Sequence, residues 1–342
     1  MSESVAVARR RRHARSGMAL IILLLTLLGC ALVHLGLGAR YIGPGTVLQA
    51  LLEFNPRNFD HKVIVDLRLL RLVAALLVGA VLGVAGVLLQ AVIRNPLGEP
   101  HILGLNAGAA LAVVMSSALG SQWSGLLAGR PLIAAGGAAA LFALVMLLAS
   151  AGRSGLTPLK VTLCGVAVSS FASSVTAAIL ILDEQTLLAM RTWLAGDLAG
   201  LSWAVTRAAA LPGAAGMVLA LWIAPRLNVL ALGDVIASGL GVNIARTRLL
   251  GLVATALLCG AAVSVAGPIG FIGLVVPHIV RRLITDDIRL AVPLSALCGA
   301  LLLLLADIAA RTLMAPQELA TGVMTALVGA PVFIFIASRF FK

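Results

Sequence analysis

The 342 residues are 61% hydrophobic and only 11% charged, with a mean hydropathy of +1.10. Soluble domains average about 45–50% apolar and about 25% charged, so this composition excludes a soluble globule and identifies a polytopic membrane protein. The net charge of +12 does not indicate a nucleic-acid binder, because arginines gather before the first apolar run (Arg9, Arg10, Arg11, Arg12, Arg15) and in short loops, and aromatic residues are too few for a base-stacking surface.

Charge-free intervals mark the spans in chain order. Residues 1–16 form a basic cytoplasmic start, and 17–39 the first span. The basic stretch resembles a signal sequence, but the apolar run continues past Cys30 to Ala39, which is long enough to cross as an uncleaved helix. A long outer loop, 40–71, carries turn signals at Gly43-Pro44-Gly45 and at Pro56. The second span, 72–93, contains Gly79 and Gly83 at the spacing that lets helices pack closely. Arg94-Asn95-Pro96 closes it, and a bent re-entry through Glu99-Pro100 leads to a shorter third span, 102–119. Spans four and five are 131–152 and 161–182; an amphipathic outer stretch, 183–207, precedes the sixth at 208–225.

Residues 249–280 hold no Asp, Glu, Lys or Arg. As one helix they would reach about 48 Å at 1.5 Å per residue, against a hydrocarbon core of about 30 Å. Ala266-Gly267-Pro268-Ile269-Gly270 splits them into two, and 290–310 and 319–338 complete ten spans. An even number returns the chain to the side it left, and the basic start and the Arg339/Lys342 end both favour the cytoplasm. This assignment puts about two-thirds of the 25 Lys and Arg on the cytoplasmic side.

It also puts residues 226–250 in the cytoplasm, between spans six and seven. Asp234 can start a short helix there by accepting backbone N–H bonds, Gly239 or Gly241 can end it, and Asn243 can start another. Two short helices across the membrane face would offer another protein something to push against; a solvated loop fits the spacing as well.

No energy source is visible. A phosphate-binding loop needs Gly-Lys before Ser or Thr, and Lys62, Lys160 and Lys342 never follow glycine. Ion-coupled carriers keep acidic groups at mid-depth, where these spans hold almost none. Asp307, near the outer end of span nine, suits structural pairing with Arg311 four residues on better than proton relay. Cys30, Cys164, Cys259 and Cys298 are isolated in apolar surroundings, so no metal ligation is expected. Arg68 and Arg71 share a helical face at the outer end of span two, where snorkelling also accounts for them. Gln90, Asn106, Ser169, Ser170 and Ser173 can line a polar path, and helix-to-helix hydrogen bonding explains them equally.

Residues 68–109, GPIGFIGLVVPHIVRR (267–282), ADIAART (306–312) and ELATGVMTALVGAPVF (318–333) resemble, in order, the FecCD-type permeases of ATP-binding-cassette (ABC) importers. Those permeases move iron–siderophores, haem or vitamin B12, and the resemblance runs from about residue 60 to the C-terminus. It implies a type II importer architecture in the cytoplasmic (inner) membrane of a prokaryote, with 17–342 as a single non-catalytic permease domain. A second permease, identical or homologous, would pair with it. An ABC ATPase dimer carrying ATP and Mg would work it from below, an extracytoplasmic binding protein would deliver a metal chelate (a ferric siderophore first among them), and the chain itself would hold no cofactor. The resemblance makes 226–250 the coupling loop, through Gly233, Asp234, Gly239, Gly241 and Arg246. It makes Arg68, Arg71 and Arg311 the docking points for acidic residues of the binding protein. Leu70 stands where the family's Arg-Leu-Pro-Arg pattern has proline. Reversing Arg71 and Arg311 to Glu should then abolish binding-protein-stimulated ATP hydrolysis and leave assembly intact. The alternative is a self-sufficient secondary carrier or channel, which the missing mid-membrane carboxylates disfavour.

Overall fold

The computed structural model describes residues 2–38, 40–120, 130–151, 157–315 and 317–340, and among them every regular element is a helix. Helix α1 (Ser2–Gly36) runs unbroken from the basic start into the first span. The outer loop expected over 40–71 is largely helical. It contains α2 (Pro44–Leu52) and α3 (Phe59–Lys62), and α3 passes through a wide π-helical stretch (Val63–Arg68) into α4 (Leu69–Ile93). Of the residues expected to signal turns, Pro44 takes the first position of a helix and Pro56 does lie in a turn, after which Asn58 caps α3 by accepting a bond from the Asp60 N–H.

A 3₁₀ turn (Pro100–Leu103) leads into α5 (Leu105–Ala118), followed by α6 (Arg130–Ser150), α7 (Pro158–Leu182), α8 (Glu184–Leu194) and α9 (Trp203–Leu230). Then come α10 (Asp234–Gly239), α11 (Ile244–Ala266), α12 (Ile272–Leu283), α13 (Ile288–Thr312) and α14 (Thr321–Phe340). Among the described residues seven stretches, in α1, α3–α4, α6, α7, α9, α11 and α13, are long and apolar enough to cross a membrane. The shorter α5, α12 and α14 bring the described helices to the ten expected spans.

Helices α5 and α12, with 14 and 12 residues, reach only about 21 and 18 Å at 1.5 Å per residue. Both start inside the bundle: Gly104 lies against Leu141 and Ser169, midway along α6 and α7, and Gly273 lies against Leu82, Gly86 and Pro100. The irregular segments leading into them meet where the Glu99 carboxylate accepts the Phe271 N–H at 2.7 Å. Phe271 sits in the left-handed region (φ 68°) at the start of α12, so Glu99 caps that helix from a distant part of the chain. Irregular backbone at membrane depth survives where protein buries it and satisfies its polar groups.

Helix α4 is the hub, packed by α9, α11, α12 and α13. Its glycines let the neighbours approach. A Cβ at Gly79 or Gly83 would strike the α13 backbone at Gly299 or Ser295, and one at Gly86 would strike Gly273 of α12. That is the small-residue packing expected of the Gly79/Gly83 pair. The membrane windows of α1 and α7 are instead only 11% and 17% buried.

Candidate functional site

At the outer face one buried carboxylate gathers four elements. Asp307 of α13 receives the Nε and Nη2 of Arg71 at 2.9–3.1 Å, Nε2 of His34 at 2.8 Å and the Thr321 hydroxyl at 2.8 Å. Arg311, the partner expected for it, is the most distant at 3.9 Å. Arg311 donates instead to the Leu37 carbonyl, and its Nη1 lies 3.2 Å from His34 Nε2, whose proton goes to Asp307. In the same way Arg68 is spent on the carbonyls of Leu35, Gly36 and Arg40 at 2.6–2.8 Å. Arg71 also reaches Glu318 at 2.7 Å, with Asp197 at 4.0 Å.

The three arginines expected to act together do meet. They line one cavity of about 350 Å³ with Arg40, Asp66 and Glu318, and Asp307 behind Arg71 and Asp60 beside Arg40 balance part of the guanidinium charge. Each of the three is also held from behind, which corrects the expected result of reversing Arg71. A glutamate at 71 would stand beside Asp307 and Glu318, so the substitution would damage the fold as well as the surface. Beneath the cavity three chain breaks are bonded together: the Gly322 N–H donates to Gly196 O at 2.7 Å and the Asp197 N–H to Ala266 O at 2.9 Å. Gly196 (φ 75°) and Gly267 (φ 69°) are left-handed, with no room for a side chain.

At the cytoplasmic face Asp234 does not cap α10. Gly233 (φ 113°, ψ 155°) holds the cap position without a side-chain bond. The Asp234 carboxylate is taken by Arg248, whose Nη2 lies 3.0 and 2.9 Å from its two oxygens, and by Arg94. Gly241 (φ 79°) ends the helix as expected, with its N–H on Ser238 O at 2.9 Å and the Val242 N–H on Ala237 O at 3.0 Å, a Schellman motif. Gly239 is an ordinary helical residue facing open space.

Asn243 does start a helix, accepting the Arg246 N–H at 2.9 Å, but that helix is α11 itself. The second short helix expected here is its first turns. Arg246 is exposed, and the arginines that pair with Asp234 are Arg94 and Arg248. Nothing in the sequence pairs residue 94 with residue 234, 140 positions away. The surface of this element is apolar: Leu232, Val235, Ile236 and Leu240 are 59%, 87%, 53% and 63% exposed.

The five polar residues considered for a path do not share a surface. Gln90 is buried and ties α4 to α12, donating to Gly273 O at 3.3 Å and accepting from Arg281. Asn106 bonds His101 at 3.2 Å. The Ser169 hydroxyl is buried beside Gly104, and only Ser170 and Ser173 lie on the exposed face of α7.

Apolar helices in this number, two of them starting at membrane depth, with a charged cluster at each face, define a multi-pass membrane permease. The model of the FecCD transport family matches residues 22–339, and the chain belongs to that family. It is 41% identical to the Fe(3+)-citrate import system permease protein YfmD of Bacillus subtilis (strain 168), covering 97% of each chain. It is 38% identical to the ferric enterobactin transport system permease protein FepD of Escherichia coli (strain K12), covering 99% of this chain and 98% of that one. Among solved structures, an inward-facing metal-chelate type ABC transporter superposes with a TM-score of 0.82 at 30% identity, covering 94% of this chain and 98% of that one.

Proposed function

We propose that this chain is the permease subunit of an ABC importer for a ferric chelate, in the cytoplasmic membrane of a prokaryote. An ATPase dimer carrying ATP and Mg drives it, and a second permease and an outer binding protein complete the assembly. The observation that carries the reading is α10. Its exposed Leu232, Val235, Ile236 and Leu240 form an apolar knob on the cytoplasmic side, a surface suited to a protein partner. The guanidiniums that line the outer cavity suit acidic side chains of a binding protein, since guanidiniums bind carboxylates in fixed geometry and such charges steer and orient docking. Ser170 and Ser173, exposed on an otherwise mostly apolar α7, suit a contact with the second permease beside the path. The ferric chelate follows from the relatives, whose names specify iron complexes of hydroxamate, citrate and enterobactin.

The test is to co-purify the chain with its ATPase and reconstitute both in liposomes with the binding protein. Radiolabelled ferric hydroxamate, citrate and catecholate chelates are then offered with ATP. ATP-dependent uptake of at least one is expected. Uphill uptake by the chain alone would overturn the reading in favour of a secondary carrier.

A further inference from the structure

We propose that Asp234, with Arg94 and Arg248, is a positioning clamp that makes α10 move as one body with α4 and α11. The backbone does not fix this helix. Gly233 (φ 113°) and Gly241 (φ 79°) flank it, and a Cβ at either would meet nothing within 4 Å. Core packing does little more, because of its six residues only Ala237 is buried, and so short a helix does not hold itself. Besides its short connections to α9 and α11 and the packing of Ala237, its side-chain attachments are the bonds of one carboxylate to guanidiniums on two different helices.

Arg94 supplies a second, independent observation. It is one of only two non-glycine residues with positive φ among the described residues, and it ends α4 at φ 50°, ψ 38°. Glycine would adopt that conformation at less cost. An arginine held there aims its side chain at Asp234, and strain kept at a residue with a specific contact points to a role for that contact.

The clamp leads into the bundle. From α4 the ties continue to α12 through Gln90 and through the Gly86–Gly273 contact. Helix α11 runs from the clamp to the outer chain breaks at Ala266. A push on α10 is therefore delivered to the hub helix and its neighbours as rigid-body motion. Asp234 and Arg94, with side-chain exposures of 44% and 33%, form a pair of the kind that contributes little to fold stability, while the Arg248 side chain is buried, at 10% exposure. Breaking the clamp should loosen α10 without unfolding the bundle.

The first test concerns the tie alone. Spin labels are placed at Ser238→Cys and Arg246→Cys in the full chain, with its four native cysteines replaced by alanine, in lipid nanodiscs. A narrow interspin distance distribution is expected. It should widen in Asp234→Asn and in Arg94→Gly, and stay narrow in Asp234→Glu. An unchanged width in Asp234→Asn overturns the clamp.

The second test rests on the importer reading and uses the reconstituted complex with the same three ferric chelates. Uptake per ATP hydrolysed should fall about fivefold in Asp234→Asn, a scale of about 1 kcal/mol for losing the charge that both arginines share, and recover in Asp234→Glu. The double variant with Arg94→Gly should be no worse than the single, as for two residues acting through one contact. Loss of ATPase co-purification in Asp234→Asn would overturn the clamp in favour of direct contact with the ATPase. If labels loosen as expected but the native complex transports no chelate, the importer reading fails and the clamp stands.

Discussion

The charge clusters at the two faces use the same chemistry, a carboxylate among arginines, in opposite ways. Outside, Asp307 is fully buried and receives bonds from α1, α4 and α14. Inside, Asp234 is part-exposed, holds two arginines and sits on a six-residue helix between left-handed glycines. Removing one partner of a buried ion pair leaves an uncompensated charge, whereas a part-exposed one can rehydrate. The outer cluster is thus a fixed frame, and the inner one holds a part that can move.

The largest predicted effect tests that contrast directly. Asp307→Ala should cost about 3–5 kcal/mol by stranding Arg71 among buried polar groups, measured as lost thermal stability in detergent. A loss no greater than that of Asp234→Ala would erase the distinction between the faces. Next, Gly241→Ala should cost about 1–2 kcal/mol through backbone strain alone, because the space beside it is open. Gly239→Ala should instead gain about 0.5–1 kcal/mol. Thermal melts of both variants decide it, and equal effects would show that the hinge lies elsewhere.

Asn243→Ala should cost about 1 kcal/mol as a lost helix cap, read as faster amide exchange at Arg246. Smallest is a pH effect outside the membrane. Asp183 accepts the Thr186 hydroxyl at 2.6 Å and the N–H groups of Thr186 and Gln185. Those bonds hold its carboxyl below the usual carboxylate range. The group's folded value is depressed, so the cap is intact at neutral pH and is lost only as pH falls through that lowered value. Amide exchange at Gln185 and Thr186 should stay slow down to about pH 4; fading protection at about pH 5 would contradict this.

Much of the fold was legible because lipid imposes one rule along the whole chain: charge is kept out of spans. The ten intervals, the break at 266–270 and the glycine turn at 241 all follow from local composition. The helices at 44–52 and 59–68 were hidden because Pro44 begins a helix as readily as it makes a turn, and the turn at Pro56 separates two helices within what reads as one loop. At the sites, the residue types were legible and their partners were not. Asp307 was tied to its neighbour in sequence, Arg311, while its close partners come from positions 34, 71 and 321. Asp234 was read as a cap because the arginines that take its carboxylate lie at 94 and 248. Long-range ion pairing leaves no mark in periodicity.

The His34–Asp307 bond also has a consequence for synthesis. Helix α1 leaves the ribosome first and is scarcely covered within its membrane window, yet its outer end is fastened by Asp307, Arg68 and Arg311. Two of those three fasteners are made some 270 residues later. Through most of translation the first helix therefore waits beside the growing bundle, and about the last tenth of the nascent chain secures it. A product terminated before residue 307 would carry that unfastened helix as a mark of incompleteness, open to membrane quality control.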